Sequence, residues 1–303
     1  MKIFDTHCDT ISKIAELGGD LRSNSYHIDL NRLQKYDNFA QVFAMFVDVT
    51  ELPLNATATG VALNQIERYH REIAENFELI AHCNTAAEVS QTFEDGKIAA
   101  MLAIEGGEAL GGKLENLEKF YNLGVRILTL TWNHDNELAS GVFGRRNAGL
   151  TDFGKAAVRE MNRLGMIIDV SHLNEMGFWE VLERSQTPVI ASHSNARAIY
   201  GHLRNLTDKQ ISALVDMGGY VGLNLYSDFL NGGETADITD VQRHIEHFEK
   251  LGAGGILGLG CDFDGVDKLP RGIAGVEDLA KIPLNDDIAF GNFYKFLAKN
   301  VAN

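Results

Sequence analysis

Short apolar runs alternate with longer amphipathic stretches along this chain. Most of the runs are continuous in apolar residues, which is typical of strands covered on both faces of a sheet, although the first run is half polar. The eight predicted strands are Ile3–Asp9, Phe39–Asp48, Lys97–Gly106, Val125–Asn133, Met166–His172, Pro188–Ser194, Tyr220–Tyr226 and Ile256–Gly265.

The stretches between the runs carry apolar residues at helical spacing among charges. One of them opens with Thr151-Asp152, a plausible helix cap, and is followed by Gly165, which is typical of a helix end. The repeated β-α order predicts an α/β fold, a closed (β/α)8 TIM barrel rather than an open doubly wound sheet. The predicted helices are Gly60–Leu79, Thr151–Leu164, Asn174–Arg184, Thr207–Met217 and Thr239–Leu251.

The chain shows no Pro-, Ser- or Gly-rich linker, so residues 1–303 are interpreted as one barrel domain. Two connections are long, Thr10–Asn38 after the first run and His134–Leu150 after the fourth. Barrels keep binding residues in long loops at their strand ends, and we expect the same here.

Composition and charge narrow the range of partners and compartments. The net charge is −15, from 42 acidic and 27 basic residues, and this field repels a phosphate backbone, which argues against nucleic acid. Three cysteines without a C-x-x-C pair favour a reducing compartment. The first run starts at Ile3, and no apolar stretch approaches the ~20 residues that span a bilayer. We therefore expect a cytoplasmic protein with no signal peptide and no membrane contact.

Four of the runs end in residues that bind metals. The first ends in His7 and Asp9, the third in Glu105, the fifth in His172 and the sixth in His193. On its own, the H-x-D triplet is better explained by a buried histidine bonded to a neighbour, and Glu105 could simply cap the next helix. The five together predict a metal site, because parallel barrels gather strand ends at one face.

The same residues suggest two ions rather than one. His7, Asp9 and Glu105 would hold one ion, and Glu105, His172 and His193 the other, with the two carboxylate oxygens of Glu105 bridging them. Two ions flanking a water would lower its pKa toward neutrality and create hydroxide. Zn²⁺ suits these ligands, and Mn, Co or Ni are accepted by the same mixed set.

Two further strand ends carry acid–base groups. Asp262, near the end of the eighth run, could move a proton between water and a leaving amine. His134, after the fourth run, could polarise a substrate carbonyl or stabilise an oxyanion. Taken singly, an ordinary polar residue at a loop start explains each equally well. Tyr226, at the end of the seventh run, is a candidate for lining the pocket.

The chain resembles the membrane (renal) dipeptidase family, metallopeptidases built on an amidohydrolase-like barrel. The likeness runs from Asp5 to Val266, and its most specific part is the stretch from Gly149 to His172. It is similar to the shorter bacterial members, because it lacks the cysteines and the lipid-anchor signal of the animal ones. The matching stretches are DTHCD, AMLAIEGGEAL, LTWNHDNELASG, GLTDFGKAAVREMNRLGMIIDVSH, ASHSNARAIYGHLRNLTD and GLGCDFDGV.

This resemblance implies a set of roles. One zinc would be bound by His7 and Asp9 and the second by His172 and His193, with Glu105 shared between them. The family hydrolyses dipeptides, including those with a C-terminal D-residue, and often forms homodimers.

The remaining implied roles concern the substrate. His134 would contact the substrate carbonyl, and Asp262 would be the acid–base group. Arg204 would hold the free carboxylate of the dipeptide, because its planar fork suits a two-oxygen target.

Two other hypotheses fit the same pattern in part. A metal-dependent phosphoesterase or deaminase can occupy the same barrel, but such enzymes usually open with H-x-H, whereas Asp9 stands here at the third position. A non-catalytic metal-binding descendant would be expected to have lost a ligand or the acid, and every expected position is filled.

Overall fold

Eight parallel strands close into a barrel in the computed structural model, which describes residues 1–52, 54–146, 148–233 and 235–301. The order around the barrel is β1-β2-β4-β5-β6-β7-β8-β9, and β9 pairs with β1 to close it. Each of these eight strands overlaps one of the eight predicted runs, although β1 and β2 each begin one residue earlier than predicted, so the predicted barrel is confirmed. The strands are β1 (Lys2–Cys8), β2 (Asn38–Phe46), β3 (Ile80–His82), β4 (Ile98–Glu105), β5 (Val125–Thr129), β6 (Ile167–Asp169), β7 (Ile190–Ala191), β8 (Tyr220–Leu223) and β9 (Leu257–Leu259).

The strand β3 was not predicted. It pairs with Ile98–Ala100 of β4, ahead of the residues of β4 that pair with β5, and so lies outside the closed ring. A strand of three residues is too short to show a hydrophobic period in the sequence.

Helices connect the strands, and all five predicted helices are present. Thr151 Oγ1 accepts a hydrogen bond from Gly154 N at 2.9 Å, and Gly165 has φ 73°, so the predicted start and end signals operate as expected. The helices are α1 (Thr10–Leu17), α2 (Leu30–Leu33), α3 (Ala58–Glu75), α4 (Ala86–Glu94), α5 (Glu115–Asn122), α6 (Asp152–Leu164), α7 (Glu175–Arg184), α8 (Asp208–Met217), α9 (Ser227–Leu230), α10 (Ile238–Lys250) and α11 (Asn292–Asn300).

The connection Thr10–Asn38 is more ordered than a long loop. It contains α1 and α2, and α1 starts directly after Asp9 with Ile11 and Ile14 buried against the core. The end of β1 is therefore held by a packed helix. In the ranges that the structure describes, no helix combines the length and apolarity needed to cross a membrane.

Glycines allow close backbone approach inside the barrel near β7. Thr6 Oγ1 donates to the carbonyls of Ser192 and Leu259, at 2.7 and 2.8 Å, which ties the end of β7 to β9. A Cβ at Gly260 would lie 1.8 Å from Ser192 O, so any side chain there forces the backbone apart.

We therefore predict that Gly260→Ala lowers the free energy of unfolding by about 1–3 kcal/mol or more, the cost of overpacking a core. Gly255→Ala is the matched control, because a Cβ there meets nothing within 4 Å and its φ is not in the left-handed region. Denaturant unfolding followed by circular dichroism measures both variants. Equal stability of the two variants would contradict the close approach.

Candidate metal centre

The five predicted ligands meet in the mouth of the barrel. His7 Nε2 lies 3.5 Å from Asp9 Oδ2 and 3.4 Å from Glu105 Oε2. His172 Nε2 and His193 Nε2 lie 2.9 and 3.4 Å from Glu105 Oε1. All five side chains are buried.

Glu105 stands between two groups of nitrogen and oxygen atoms. Its Oε2 faces His7, and its Oε1 faces both His172 and His193. A carboxylate placed in this way can offer one oxygen to each of two cations, which is the arrangement found in two-metal sites. The two sides of Glu105 are not widely separated, because ligand atoms of His7, Glu105 and His193 also lie within 4.8 Å of one another.

Hydrogen bonds fix which nitrogen of each histidine faces the cluster. His193 Nδ1 donates to Ser192 Oγ at 2.7 Å, and that hydroxyl donates in turn to Asp169 Oδ2 at 2.5 Å. His172 Nδ1 lies 2.9 Å from Asn133 Oδ1, an acceptor. With their protons assigned to Nδ1, both rings present an Nε2 lone pair, the form that ligates a metal.

The donor set fits a pair of cations. The Nε2 atoms of His172 and His193 lie 2.8 Å apart, and two lone pairs at that distance repel unless a positive charge lies beside them. In the described part of the chain, His7 Nε2 and Asp9 Oδ1 are buried without a hydrogen-bond partner. Buried polar atoms left free in this way are expected where a ligand binds.

Burial and charge shift the pKa values of the cluster in opposite directions. Burial lowers the pKa of His7, but the nearby negative charges of Glu105 and Asp9 outweigh it, so this pKa stands well above its ordinary value. Burial chiefly lowers the pKa of His172, to about 4, and that of His193 well below its ordinary value, which keeps both rings neutral.

Two site residues adopt a backbone conformation that side chains rarely take. His172 has φ 68° and Asp262 has φ 62°, both in the left-handed region. The two lie beyond the ends of β6 and β9, in turns rather than on the strands. Such strain persists where surrounding contacts hold it, and it is concentrated at functional sites.

Asp262 lies at the edge of the ligand cluster. Its Oδ2 accepts a hydrogen bond from Asn224 Nδ2 at 2.8 Å, and its Oδ1 is 3.9 Å from His7 Nε2. Burial and the Glu105 charge raise the pKa of this carboxyl, although the His7 charge and Asn224 act against them. A carboxyl with a raised pKa is suited to both taking and giving a proton near neutral pH.

Arg204 is buried beside the same cluster, with 4% of its surface exposed. Its Nη2 donates to His193 O at 3.3 Å, and its guanidinium lies 5.4 Å from the centre of the Phe229 ring. Burial lowers its pKa to about 10, which leaves it cationic at neutral pH. Its Nε has no partner among the described residues. Its side chain lines a small cavity of about 20 Å³ together with His172, next to the cavity into which the ligand cluster opens.

The ligand cluster opens into a cavity of about 500 Å³, here called the metal-site cavity. Tyr226 lies on its wall as predicted, with its ring packed 4.8 Å from that of Phe229. His134 is not brought into this cavity, because it is exposed and lines a neighbouring one. Trp132 and Asn133, from the same segment, face the metal-site cavity instead.

Sequence reasoning missed the residues that hold the ligands in place. These are Asn133, Asp169, Ser192 and Asn224, each polar and at or near the carboxyl end of a barrel strand. A signal existed, since Ser192 directly precedes His193 and Asn133 ends the fourth run. The sequence does not show which ligand each of these residues contacts on a neighbouring strand.

Comparison with known proteins places the chain in a class and then in a family. Its structure is similar to a metallopeptidase from Rhodobacter sphaeroides liganded with a phosphinate mimic of the dipeptide L-Ala-D-Ala, with 27% identity, TM-score 0.88 and 99% of both chains covered. It is also similar to a solved metallopeptidase named dipeptidase AC, of family M19, with 31% identity, TM-score 0.90 and coverage of 99% and 98%. The fold is therefore that of the amidohydrolase-like metallopeptidase barrels.

The family follows from the sequence. Residues 1–285 match the model of the membrane dipeptidase family, peptidase family M19, and the chain belongs to that family. An uncharacterised dipeptidase of Schizosaccharomyces pombe is 33% identical over 271 residues, which cover 85% of this chain and 64% of the yeast protein. The chain thus spans less than two thirds of that relative's length. The resemblance stated from the motifs is confirmed.

The Ser192 hydroxyl yields a testable prediction about ligand positioning. Ser192→Ala removes the acceptor that holds His193 Nδ1, so we expect zinc affinity to fall about 10–100-fold, the usual effect of losing such a partner. Competitive zinc titration of the variant against a chromophoric chelator measures it. Ser23→Ala, at an exposed position, serves as the control. Affinity equal to that of the control would show that Ser192 does not position the ligand.

Proposed function

We propose that this protein is a metal-dependent dipeptidase that hydrolyses dipeptides, including those with a C-terminal D-residue. The observation that carries the proposal is the position of Glu105 in the buried barrel mouth, where its Oε2 faces His7 and its Oε1 faces His172 and His193. Membership of the dipeptidase family and likeness to a protein liganded with an L-Ala-D-Ala mimic support the substrate class.

The cofactor we propose is two Zn²⁺ per chain, held by His7, Asp9, Glu105, His172 and His193. Their nitrogen and oxygen donors suit zinc, and Mn, Co or Ni can occupy the same ligands. Once bound, such a pair supplies a water of lowered pKa and polarises the substrate carbonyl.

The chain's own residues then position the substrate and move the proton. Arg204 binds the free carboxylate through its unpartnered Nε, which selects for a chain ending one residue beyond the cut. Asp262 takes a proton from the attacking water at Oδ1, the oxygen nearer His7, and gives it to the departing amine. Asn224 holds the other oxygen and so orients the carboxylate. Tyr226 and Phe229 line the same cavity, and their rings would limit bulk water around these charges once substrate is bound.

The proposed activity is tested with a substrate panel. Zinc-loaded protein is expected to cleave L-Xaa-L-Xaa and L-Xaa-D-Xaa dipeptides, exhaustively chelated protein to cleave none, and added zinc to restore activity. Amine release and elemental analysis are the measurements. Turnover of p-nitrophenyl phosphate or of nucleobases without peptide cleavage would replace this proposal with a phosphoesterase or deaminase.

Replacing Asp262 with Asn separates proton transfer from metal binding. We expect Asp262→Asn to lower kcat about 10²–10⁴-fold, the range of general acid–base catalysis, with the zinc content unchanged. The control is Asp216→Asn, an exposed position on α8. If the variant keeps its turnover, Asp262 is not the proton carrier; if it loses zinc, Asp262 is a ligand instead.

A further inference from the structure

A second cavity adjoins the metal-site cavity on the side of β1 and β2. It has a volume of about 300 Å³ and is here called the side cavity. It lies between α1, the end of β2 and α3, and shares Ser12, Glu16 and Phe46 with the wall of the metal-site cavity. A substrate in the metal-site cavity can therefore extend into it.

The wall of the side cavity combines an apolar body with negative charge. Three carboxylates, Glu16, Asp48 and Glu51, line it, and none of the described residues in its lining is a lysine, arginine or histidine. None of the three forms an ion pair with any residue in the described ranges, and Asp48 accepts hydrogen bonds only from the neutral Thr50. The apolar part of the wall is formed by Ala15, Phe46, Val47, Leu52 and Val61.

Gln65 in the same wall adds an independent sign of a ligand. It is only 7% exposed, and its Nε2 donates to Phe46 O at 2.7 Å. Its Oε1 is buried and accepts no hydrogen bond from any described residue. An unpartnered buried oxygen, like the carboxylates, calls for a hydrogen-bond donor.

The neighbouring cation Lys13 does not neutralise this wall. Lys13 lines the metal-site cavity but not the side cavity. Its Nζ lies 3.6 Å from Asp264 Oδ1 and 5.3 Å from the centre of the Tyr26 ring, so its charge is already paired. The side cavity therefore combines an apolar wall with carboxylates whose charge is not neutralised. This combination suits a long side chain with an aliphatic stem and a positively charged end.

The barrel order determines which end of a dipeptide reaches the side cavity. Arg204 follows β7, and the side cavity follows β1 and β2. Around the ring β1-β2-β4-β5-β6-β7-β8-β9, the strands β2 and β7 stand on opposite sides. A dipeptide whose carboxylate is held by Arg204 directs its other residue, the N-terminal one, toward β1 and β2.

We propose that the side cavity is a specificity subsite for a basic side chain, lysine or arginine, on the N-terminal residue of the dipeptide. The aliphatic stem would lie along the apolar wall, and the cationic end would meet Glu16, Asp48 and Glu51. This inference rests on the proposed dipeptidase function and adds to it the class of preferred substrate.

The first test compares substrates that differ in one charge. For the zinc-loaded protein we expect kcat/KM for L-lysyl-L-alanine to exceed that for L-norleucyl-L-alanine about fivefold or more, mainly through KM, as expected for one added charge contact. For L-alanyl-L-lysine against L-alanyl-L-norleucine we expect no such preference. A lysyl-to-norleucyl ratio at or below one, with norleucyl-alanine cleaved, overturns the subsite and leaves the dipeptidase standing.

The second test removes the negative charges. In the combined variant Glu16→Gln, Asp48→Asn, Glu51→Gln, the lysyl-to-norleucyl ratio is expected to fall to about one, and in Glu94→Gln, an exposed acid on α4, to stay at the wild-type value. Circular dichroism and zinc content confirm that both variants are folded and loaded. A ratio that survives in the combined variant contradicts the assignment. If no dipeptide is cleaved even by the wild-type protein, the proposed function fails, and the subsite with it.

Discussion

The structure depends on the burial of three carboxylates and three imidazoles in one small volume. Asp9, Glu105 and Asp262 each lie within 4 Å of His7, and all are shielded from water. Like charges this close repel strongly in a low-dielectric interior unless positive charge is placed among them. Protonation of His7, whose pKa is raised, would supply part of this positive charge. Divalent cations would supply more of it.

Much of the surrounding architecture serves to keep this cluster assembled. The two imidazoles are oriented by the hydrogen bonds that their Nδ1 atoms donate to Asn133 and Ser192. Asp169 holds Ser192 by accepting from its hydroxyl and its backbone N–H, at 2.5 and 2.9 Å. The left-handed turns at His172 and Asp262 add constraint. Geometry of this kind has to exist before ligands bind, because a cation cannot reorganise a packed barrel mouth cheaply.

The barrel and the types of ligand residue could be predicted from the sequence because both produce local sequence patterns. Continuous apolar runs mark buried strands, and His, Asp and Glu at their ends mark the mouth. Partnerships across strands leave no such mark, so Asp169 and Asn224 went unseen. His134 was predicted in the site from its position after the fourth run and from the family resemblance. In the structure it is exposed and lines a neighbouring cavity, because the side chains that face the metal-site cavity from this segment are Trp132 and Asn133. The strand β3, with three residues, is too short to show a hydrophobic period. The dipeptide substrate was inferred from motifs shared with the family, because the chemistry of the site residues alone does not identify a substrate.

The barrel is asymmetric in strand length, which bears on its motions. On one side, β1, β2 and β4 run for seven to nine residues, whereas β6 to β9 have between two and four. Fewer ladder hydrogen bonds protect the short side, so backbone amides there should exchange with solvent through smaller opening events. Arg204 and Tyr226 follow these short strands, whereas Glu105 ends a long one. We therefore expect local opening mainly in the half of the barrel that carries Arg204 and Tyr226, through which substrate would enter and leave. The half that carries Glu105 should open less often.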